Sequence, residues 1–311
     1  MRDEGYSSNS FFFMHTKSDV QIVTAPSILG LKPTGVERLP AVLLSQGLKE
    51  ALNSHNAVIE VPPLNHLYTY ERDRQTSVIN VRALRTFSGS LKDTVGQVPI
   101  DKKFALVLGG DCSILIGIMA ALKSMGTYGL FFLDAHADFY EPEKSVTGEA
   151  ADMDLALITG RGPDVLTNID NAKPYLYDEN VIHLGQRDME ETRKFQSQEI
   201  RSTKIKCLDI TRLQQASNLQ VANEIDAYAT QIRADGFWIH FDTDVINDEL
   251  NPAVDYRLPG GLSFEQCQTI LISLIQKYPT VGMSVTIFNP NLDTDGSVAK
   301  QIVALISNVL R

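Results

Sequence analysis

The sequence predicts an α/β protein: a single doubly wound domain with a mainly parallel sheet of about eight strands. Short apolar, β-branched segments alternate with longer segments of helical periodicity, an order typical of βαβ units. Most short segments are continuously apolar, as expected of strands that helices cover on both faces. The 311 residues contain no internal repeat or linker. The chain is therefore interpreted as one domain over 17–311, preceded by a loosely held tail over 1–16.

Eight short apolar segments are predicted to be the strands, and helices are predicted where apolar residues recur three and four positions apart. The strands are Val20–Thr24, Ala57–Val61, Phe104–Leu108, Gly129–Leu133, Val181–Leu184, Ile205–Leu208, Trp238–Phe241 and Gly282–Ile287. The helices are Val36–Leu52, Ser77–Thr94, Ile114–Met125, Asn218–Arg233, Phe264–Lys277 and Val298–Leu310. Ser263 and Gln266 predict a capping box before the fifth helix. The segment Glu141–Asn171 is predicted to be a long loop with one short helix.

Composition and charge indicate a soluble protein whose partner is a small molecule. The formal charge is −10, from 28 Lys and Arg against 38 Asp and Glu. Nucleic-acid binding is not expected, because binding phosphates needs a basic surface. No apolar run reaches the roughly 18 residues of a membrane span. The three cysteines, Cys112, Cys207 and Cys267, cannot form a disulfide framework and favour a reducing, cytoplasmic location.

Acidic and metal-competent residues follow three predicted strands, at the edge where parallel sheets bind ligands. Past a strand end, residues two apart point the same way, so Asp134, His136 and Asp138 can converge, as can Asp242 and Asp244. Each group alone would also fit a solvated loop or a helix cap. Together, four carboxylates and one imidazole suit a pair of divalent ions, Mn²⁺ above all. The three segments read Gly109-Gly110-Asp111-Cys112-Ser113, Asp134-Ala135-His136-Ala137-Asp138 and Asp242-Thr243-Asp244.

These motifs resemble those of the arginase/agmatinase (ureohydrolase) family. The order Gly-Gly-Asp-x-Ser, Asp-Ala-His-x-Asp and x-Asp-x-Asp carries the resemblance. It extends over most of the chain through Gly35-Val36-Glu37, Arg187-Asp188, Gly260-Gly261-Leu262-Ser263 and Asn289-Pro290. The resemblance implies an arginase-like fold, a homo-oligomer and a binuclear manganese site.

The resemblance also implies a role for each residue at the strand ends. Asp134 and Asp242 would bridge the two ions, Asp138 would complete one coordination shell, and His136 with Asp244 would complete the other. A metal-bridged hydroxide would attack the trigonal carbon of a guanidinium group. Asp138 would hold that hydroxide and pass its proton to the leaving amine. Two further residues, Asp188 and Glu190, match acidic family positions that face the substrate's amino group.

Cys112 is the first departure from the family pattern, which has a histidine ligand to the first metal at this position. A thiolate can bind metal but favours Zn²⁺ over Mn²⁺, and it leaves Ni²⁺ or Co²⁺ open. Alternatively, Cys112 is a buried cysteine that binds nothing. Because a helix is predicted to begin near Ile114, its dipole is expected to lower the pKa of the thiol.

Further departures lie around the expected substrate, and they argue against L-arginine. Glu149, a candidate substrate-binding residue, would repel a substrate carboxylate, and Ala151 cannot shuttle protons. Ile287 stands where the family has a glutamate that pairs with the guanidinium. Tyr256 stands where arginases have a small hydroxyl residue. A replacement anion could come from Asp152, Asp154 or Asp255.

Three functions remain open from the sequence. The leading hypothesis is a metal-dependent hydrolase of a C–N bond in a guanidino or amidine compound. A non-catalytic relative that acts as a binding or scaffold protein would explain the losses at 112, 151 and 287. A deacetylase-type amide hydrolase is least favoured, because the chain lacks the His-His pair of that chemistry. His240, outside the motifs, lacks metal-type spacing and is predicted to be a surface or core residue.

Overall fold

Residues 19–311 are described by the structure, a computed structural model. They contain eight strands: β1 (Val20–Ala25), β2 (Ile59–Glu60), β3 (Phe104–Gly109), β4 (Tyr128–Leu133), β5 (Val181–Leu184), β6 (Lys206–Leu208), β7 (Gly236–Asp242) and β8 (Thr280–Thr286). All pair in parallel in one sheet of order β2-β1-β3-β8-β7-β4-β5-β6. The predicted α/β class and eight-stranded parallel sheet are therefore confirmed. The predicted tail, 1–16, lies outside the described residues.

The same part of the chain forms eleven α-helices, and their apolar faces cover both sides of the sheet. One side carries a core built by α3 (Val81–Gly96) and α4 (Ile114–Met125) with residues such as Leu91 and Ile118. The other carries a core built by α1 (Leu39–Ser45), α10 (Phe264–Lys277) and α11 (Ser297–Leu310) with residues such as Leu271 and Ile302. The helices are α1 (Leu39–Ser45), α2 (Leu48–Ala51), α3 (Val81–Gly96), α4 (Ile114–Met125), α5 (Asp154–Ile158), α6 (Asp164–Thr167), α7 (Met189–Lys194), α8 (Ile210–Gln215), α9 (Asn218–Ala229), α10 (Phe264–Lys277) and α11 (Ser297–Leu310). The predicted capping box at Ser263 precedes α10.

Two helix predictions differ from the structure at positions where the backbone leaves the right-handed region. The segment predicted as one helix over Val36–Leu52 is divided, because Gly47 has φ 85° and separates α1 from α2. The helix predicted from Ser77 begins only at Val81, since Asn80 has φ 49°. The side chain of Asn80 accepts from the Thr69 amide at 2.9 Å and donates to the Leu29 carbonyl oxygen at 3.2 Å, and helical periodicity does not indicate either contact. The stretch 141–171 holds two short helices, α5 and α6, where one was predicted.

The strand order places the predicted motifs side by side. Strands β3, β8, β7, β4 and β5 are consecutive neighbours, and because all are parallel, their carboxyl ends form one edge of the sheet. The carboxyl ends of these five strands and the segments that follow them contain Cys112, Ile287, Asp242, Asp134 and Asp188. Within residues 19–311, no helix has both the length and the apolar character needed to cross a membrane.

Candidate metal centre

The turn after β3 holds Cys112 rigidly inside the protein. A side chain at Gly110 would lie 1.8 Å from the carbonyl oxygen of Ser27, so only glycine fits there. The buried Asp111 carboxylate accepts from the Ser27 hydroxyl at 3.0 Å and from the amides of Gly30 and Ser113 at 3.2 Å and 2.9 Å. Cys112 is consequently only 1% exposed.

The Cys112 thiol faces the end of β7 rather than solvent. Its Sγ donates to Asp242 Oδ2 at 2.7 Å and lies 3.2 Å from Thr286 Oγ1. Burial, followed by the charge of Asp242, raises the pKa of Cys112 well above its usual value. The expectation of a lowered pKa is therefore wrong as far as the protein's own groups are concerned, because burial and carboxylate charge outweigh the dipole of α4.

His136 is held between two carboxylates at the end of β4. Its amide donates to Asp134 Oδ1 at 2.6 Å, and its Nδ1 lies 2.9 Å from Asp244 Oδ2 and 3.6 Å from Asp134 Oδ1. Burial alone would lower the pKa of His136, but the charges of Asp244 and Asp134 raise it well above its usual value. The Nε2 of the buried His183 contacts the His136 carbonyl oxygen at 2.7 Å, which fixes the backbone of the motif.

The loop after β7 aims Asp244 at His136. Asp242 Oδ1 accepts from the Asp244 amide at 2.8 Å, and Asp244 Oδ1 accepts from the Ala135 amide at 3.2 Å. The Arg187 guanidinium donates to the carbonyl oxygens of Asp244 at 2.7 Å and of Val245 at 3.3 Å. Burial tends to raise the pKa of Asp244, but His136 and then Arg187 lower it.

The remaining carboxylates form a buried cluster of like charge. Burial and the charge of Asp244 raise the pKa of Asp134 to about 7. Burial likewise raises the pKa values of Asp138, Asp154 and Asp242 well above their usual range. Among the described residues, Asp134 Oδ2 and both carboxylate oxygens of Asp154 are buried without a hydrogen-bond partner. Such a concentration of unpaired carboxylates is costly unless a cation neutralises it, so the cluster fits divalent metal ions.

Two groups of donor atoms are close enough to hold such ions. The first comprises Cys112, Asp134, His240 and Asp242, and the second comprises Asp134, His136 and Asp244; within each group the atoms lie within 4.8 Å of one another. Asp134 is common to both, so the two candidate positions are adjacent. Asp138 belongs to neither group. It has φ 45° and lines the cavity above the cluster.

The donor groups open into a cavity of about 480 Å³. Apolar and aromatic side chains form part of its wall, and eight of its lining residues are acidic. Among the described lining residues, Arg257 is the only lysine or arginine. The apolar set includes Leu31, Tyr140, Phe195, Tyr256, Leu258 and Ile287, and the acidic set is Asp138, Glu149, Asp152, Asp188, Glu191, Asp242, Asp244 and Asp255.

Comparison with known proteins identifies the family to which this architecture belongs. Residues 18–310 match the model of the Arginase family. The chain belongs to the arginase family. It is 28% identical over 296 residues to the arginase of Staphylococcus aureus strain COL, covering 92% of this chain and 95% of the relative. The solved structure of Bacillus caldovelox arginase superposes with a TM-score of 0.83 at 26% identity, covering 94% of this chain and 98% of that one. Proclavaminate amidino hydrolase from Streptomyces clavuligerus shares the fold, with a TM-score of 0.64 at 16% identity, covering 94% of this chain and 90% of that one.

In this arginase-family chain, two of the three candidate substrate residues face the cavity. The Glu149 carboxylate accepts from the Tyr256 hydroxyl at 2.7 Å and from the Lys32 amide at 3.0 Å, and burial raises its pKa. Asp188 is buried and accepts from the Ala137 amide at 3.0 Å, so it also supports the backbone between His136 and Asp138. Glu190 is exposed and does not line the cavity, whereas Glu191 does, because successive helical residues point about 100° apart.

Ile287 lies at the point where the resemblance places a guanidinium-pairing glutamate, and it forms an apolar part of the cavity wall. It is 7% exposed and has φ 72°, a strained conformation for a β-branched residue. Its amide donates to the Gly110 carbonyl at 2.9 Å, which ties the ends of β8 and β3 together. Ile287 therefore adopts a positive φ while its amide makes the hydrogen bond that holds the turn containing Cys112.

His240 is the donor that sequence spacing did not indicate. It lies within β7, is fully buried, and stacks on Phe132 with ring centroids 4.9 Å apart. Burial lowers its pKa to about 3, so the imidazole is neutral. The available signal was its position two residues before Asp242, which puts both side chains on the same face of β7.

Proposed function

We propose that this arginase-family protein is a metal-dependent hydrolase of a C–N bond in a guanidino or amidine compound other than L-arginine. The observation that carries the proposal is the pair of donor groups that share Asp134 and open into the acidic, partly aromatic cavity. The partner is accordingly a small molecule. Cleavage would add one water across the C–N bond and release urea, or its amidine-derived analogue, and an amine.

The donor chemistry supports a metal pair. Asp134, His136 and Asp244 would hold one ion with oxygen and imidazole donors, a set that suits Mn²⁺. Asp134, Asp242 and Cys112 would contribute to the other, and a sulfur ligand shifts that position toward Zn²⁺, Co²⁺ or Ni²⁺. Bound divalent ions acidify a coordinated water and so supply the nucleophile at neutral pH.

The protein's own residues orient the substrate and move the proton. Asp138 lines the cavity, and its pKa is raised by burial and by the charges of Asp134 and Asp154. A carboxylate in reach of the reacting atoms can accept a proton and return it, so Asp138 would protonate the leaving amine. The apolar walls at Tyr140 and Phe195 would exclude bulk water from the reacting carbon.

The charge of the cavity favours a cation without a carboxylate. Eight acidic residues line it, and one of them, Glu149, puts a buried carboxylate where the resemblance places the substrate carboxylate, which would need a donor. Ile287 provides an apolar surface in place of an ion-pair partner. A guanidinium whose other end is an amine or an alkyl group therefore fits the cavity better than an amino acid does.

A urea-release screen tests the proposal. The protein is loaded separately with Mn²⁺, Zn²⁺, Co²⁺ and Ni²⁺ and offered L-arginine, agmatine and a simple alkylguanidine, with Asp134→Asn as the inactive control. Agmatine or the alkylguanidine should be hydrolysed, and L-arginine should be slower by about 10³-fold, because its carboxylate would face Glu149 without a cationic partner and lose several kcal/mol. A kcat/KM for L-arginine of about 10⁴ M⁻¹s⁻¹ or more would contradict the substrate assignment. Metal binding without hydrolysis of any compound would favour a non-catalytic binding role.

A further inference from the structure

Cys112 replaces the histidine of the arginase-family pattern, yet another imidazole lies beside the carboxylates of Asp134 and Asp242. His240 is fully buried inside β7 and shares a donor group with Cys112, Asp134 and Asp242. Their ligand atoms lie within 4.8 Å of one another. A tetrahedral zinc ion has Zn–S of about 2.3 Å and Zn–N of about 2.0 Å, so four donor atoms this close together can ligate one ion once their side chains turn toward it.

The hydrogen bonds of the His240 ring leave one nitrogen for a metal. Nδ1 lies 2.9 Å from Ser284 Oγ, which also accepts from Trp238 Nε1 at 3.1 Å. Because a hydroxyl oxygen has two lone pairs, Ser284 can accept from both rings, and the tautomer with the proton on Nδ1 leaves Nε2 of His240 for a metal. The polar neighbour of Nε2 is Thr286 Oγ1 at 3.5 Å, the outer limit of a hydrogen bond. In metal-ligating histidines, the ring nitrogen that does not bind the metal commonly donates its N–H to a nearby acceptor. Ser284 Oγ can be that acceptor for Nδ1.

A second, independent observation points into the same group. Asp134 Oδ2 is buried without a hydrogen-bond partner among residues 19–311, although buried polar atoms are nearly always paired. The Cys112 thiol contacts Asp242 at 2.7 Å and Thr286 at 3.2 Å, so sulfur, imidazole and two carboxylates meet at one point.

We propose that His240 Nε2 is a metal ligand and that, with Cys112, Asp134 and Asp242, it forms a Zn²⁺-selective first metal position. The imidazole comes from within a strand instead of from the turn after β3. One nitrogen, one sulfur and two oxygen donors favour tetrahedral Zn²⁺, whereas the second position, Asp134, His136 and Asp244, keeps the harder N/O donors. The inference rests on the metal centre of the proposed function but on no particular substrate.

Cobalt substitution tests this coordination without any enzymatic assay. Co²⁺ is titrated into wild type, His240→Gln, Cys112→Ser and the control His55→Gln, at an exposed histidine outside the donor groups, and affinities are measured by competition with a chromophoric chelator. Wild type and His55→Gln should show sulfur-to-cobalt charge-transfer absorption and intense tetrahedral ligand-field bands. Cys112→Ser should lose the charge-transfer band. His240→Gln should lose the tetrahedral intensity and bind its first ion at least about 10-fold more weakly.

Two results would overturn the assignment. One is a His240→Gln variant with wild-type Co²⁺ spectrum, affinity and stoichiometry. Should that variant not fold, ¹⁵N-histidine NMR of the wild type with and without Zn²⁺ replaces it: coordination shifts the Nε2 resonance of His240, and an unchanged resonance excludes ligation. Because no substrate is present, failure of the urea-release screen leaves this result standing, and failure of His240 ligation leaves hydrolysis of guanidino compounds standing.

Discussion

Raising the pH should destabilise the protein when a chelator removes divalent cations, and Asp134→Asn should remove a large part of that effect. Asp134 is fully buried, and burial together with the charge of Asp244 raises its pKa from 3.8 to about 7. The Asn side chain keeps the size of Asp and keeps an oxygen for the His136 amide, which donates to Asp134 Oδ1 at 2.6 Å. The substitution therefore removes the charge and leaves the packing in place.

The sign and size follow from proton linkage. Because the folded pKa of Asp134 is higher than the unfolded one, the unfolded chain releases its proton first. The free energy of unfolding is then unaffected below about pH 4, falls as pH rises toward 7, and stays low above it. A rise from 3.8 to about 7 corresponds to a loss of about 4 kcal/mol, at about 1.4 kcal/mol per pKa unit. The raised pKa values of Asp138, Asp154 and Asp242 act in the same direction.

The assay is urea unfolding at intervals between about pH 5 and pH 8, with excess chelator. Wild type should lose stability with pH more steeply than Asp134→Asn, and the two curves should diverge by a few kcal/mol at the alkaline end. Asp101→Asn, at an exposed aspartate, is the control and should follow wild type. Parallel curves for wild type and Asp134→Asn would refute the claim that the buried charge is uncompensated by the protein itself.

Adding metal should reverse the effect. A ligand that binds only the folded state at 100 times its dissociation constant contributes about 2.7 kcal/mol. Zn²⁺ or Mn²⁺ should thus stabilise wild type more at pH 8 than at pH 5, because the ligands must be deprotonated. Asp134→Asn should lose this gain at both metal positions, since Asp134 belongs to both donor groups. An equal gain in the variant would place Asp134 outside the coordination shells.

Three further variants test separate parts of the site. Cys112→His should raise the affinity for Mn²⁺ relative to Zn²⁺, since imidazole suits Mn²⁺ better than thiolate does; competition titration measures the ratio, and an unchanged ratio would exclude position 112 from coordination. Ile287→Glu should raise kcat/KM for guanidinium substrates, whereas the matched Ile287→Gln should not, because only the carboxylate can pair with the cation. Equal kcat/KM values for the two variants would show that residue 287 does not face the guanidinium. Arg187→Ala should lower the metal affinity of the second position by about 10-fold to 100-fold, because Arg187 holds the carbonyl oxygens of Asp244 and Val245. Isothermal titration measures the affinities, and two wild-type values would contradict a positioning role for Arg187.

The sequence by itself determined the class of fold and the core of the candidate site. Continuous apolar segments between helical patterns predict buried parallel strands, because only strands covered on both faces need no polar side. The edge rule for parallel sheets and the period of two past a strand end then bring Asp134, His136, Asp242 and Asp244 to one place. These inferences depend only on the spacing of residues along the chain, which can be read from the amino-acid sequence.

Only the tertiary structure decided what surrounds that core. The contact between Cys112 and Asp242 joins residues 130 positions apart and exists because β8 lies between β3 and β7 in the sheet. The same strand order brings the His240 ring to the Cys112 thiol, buries Asp154 without a partner, and leads Tyr256 to Glu149. Burial also reversed the expected direction of the Cys112 pKa. The spacing of residues along a strand predicts the direction in which each side chain points. The neighbours of that side chain on adjacent strands, and its exposure to water, depend on the order of strands in the folded sheet.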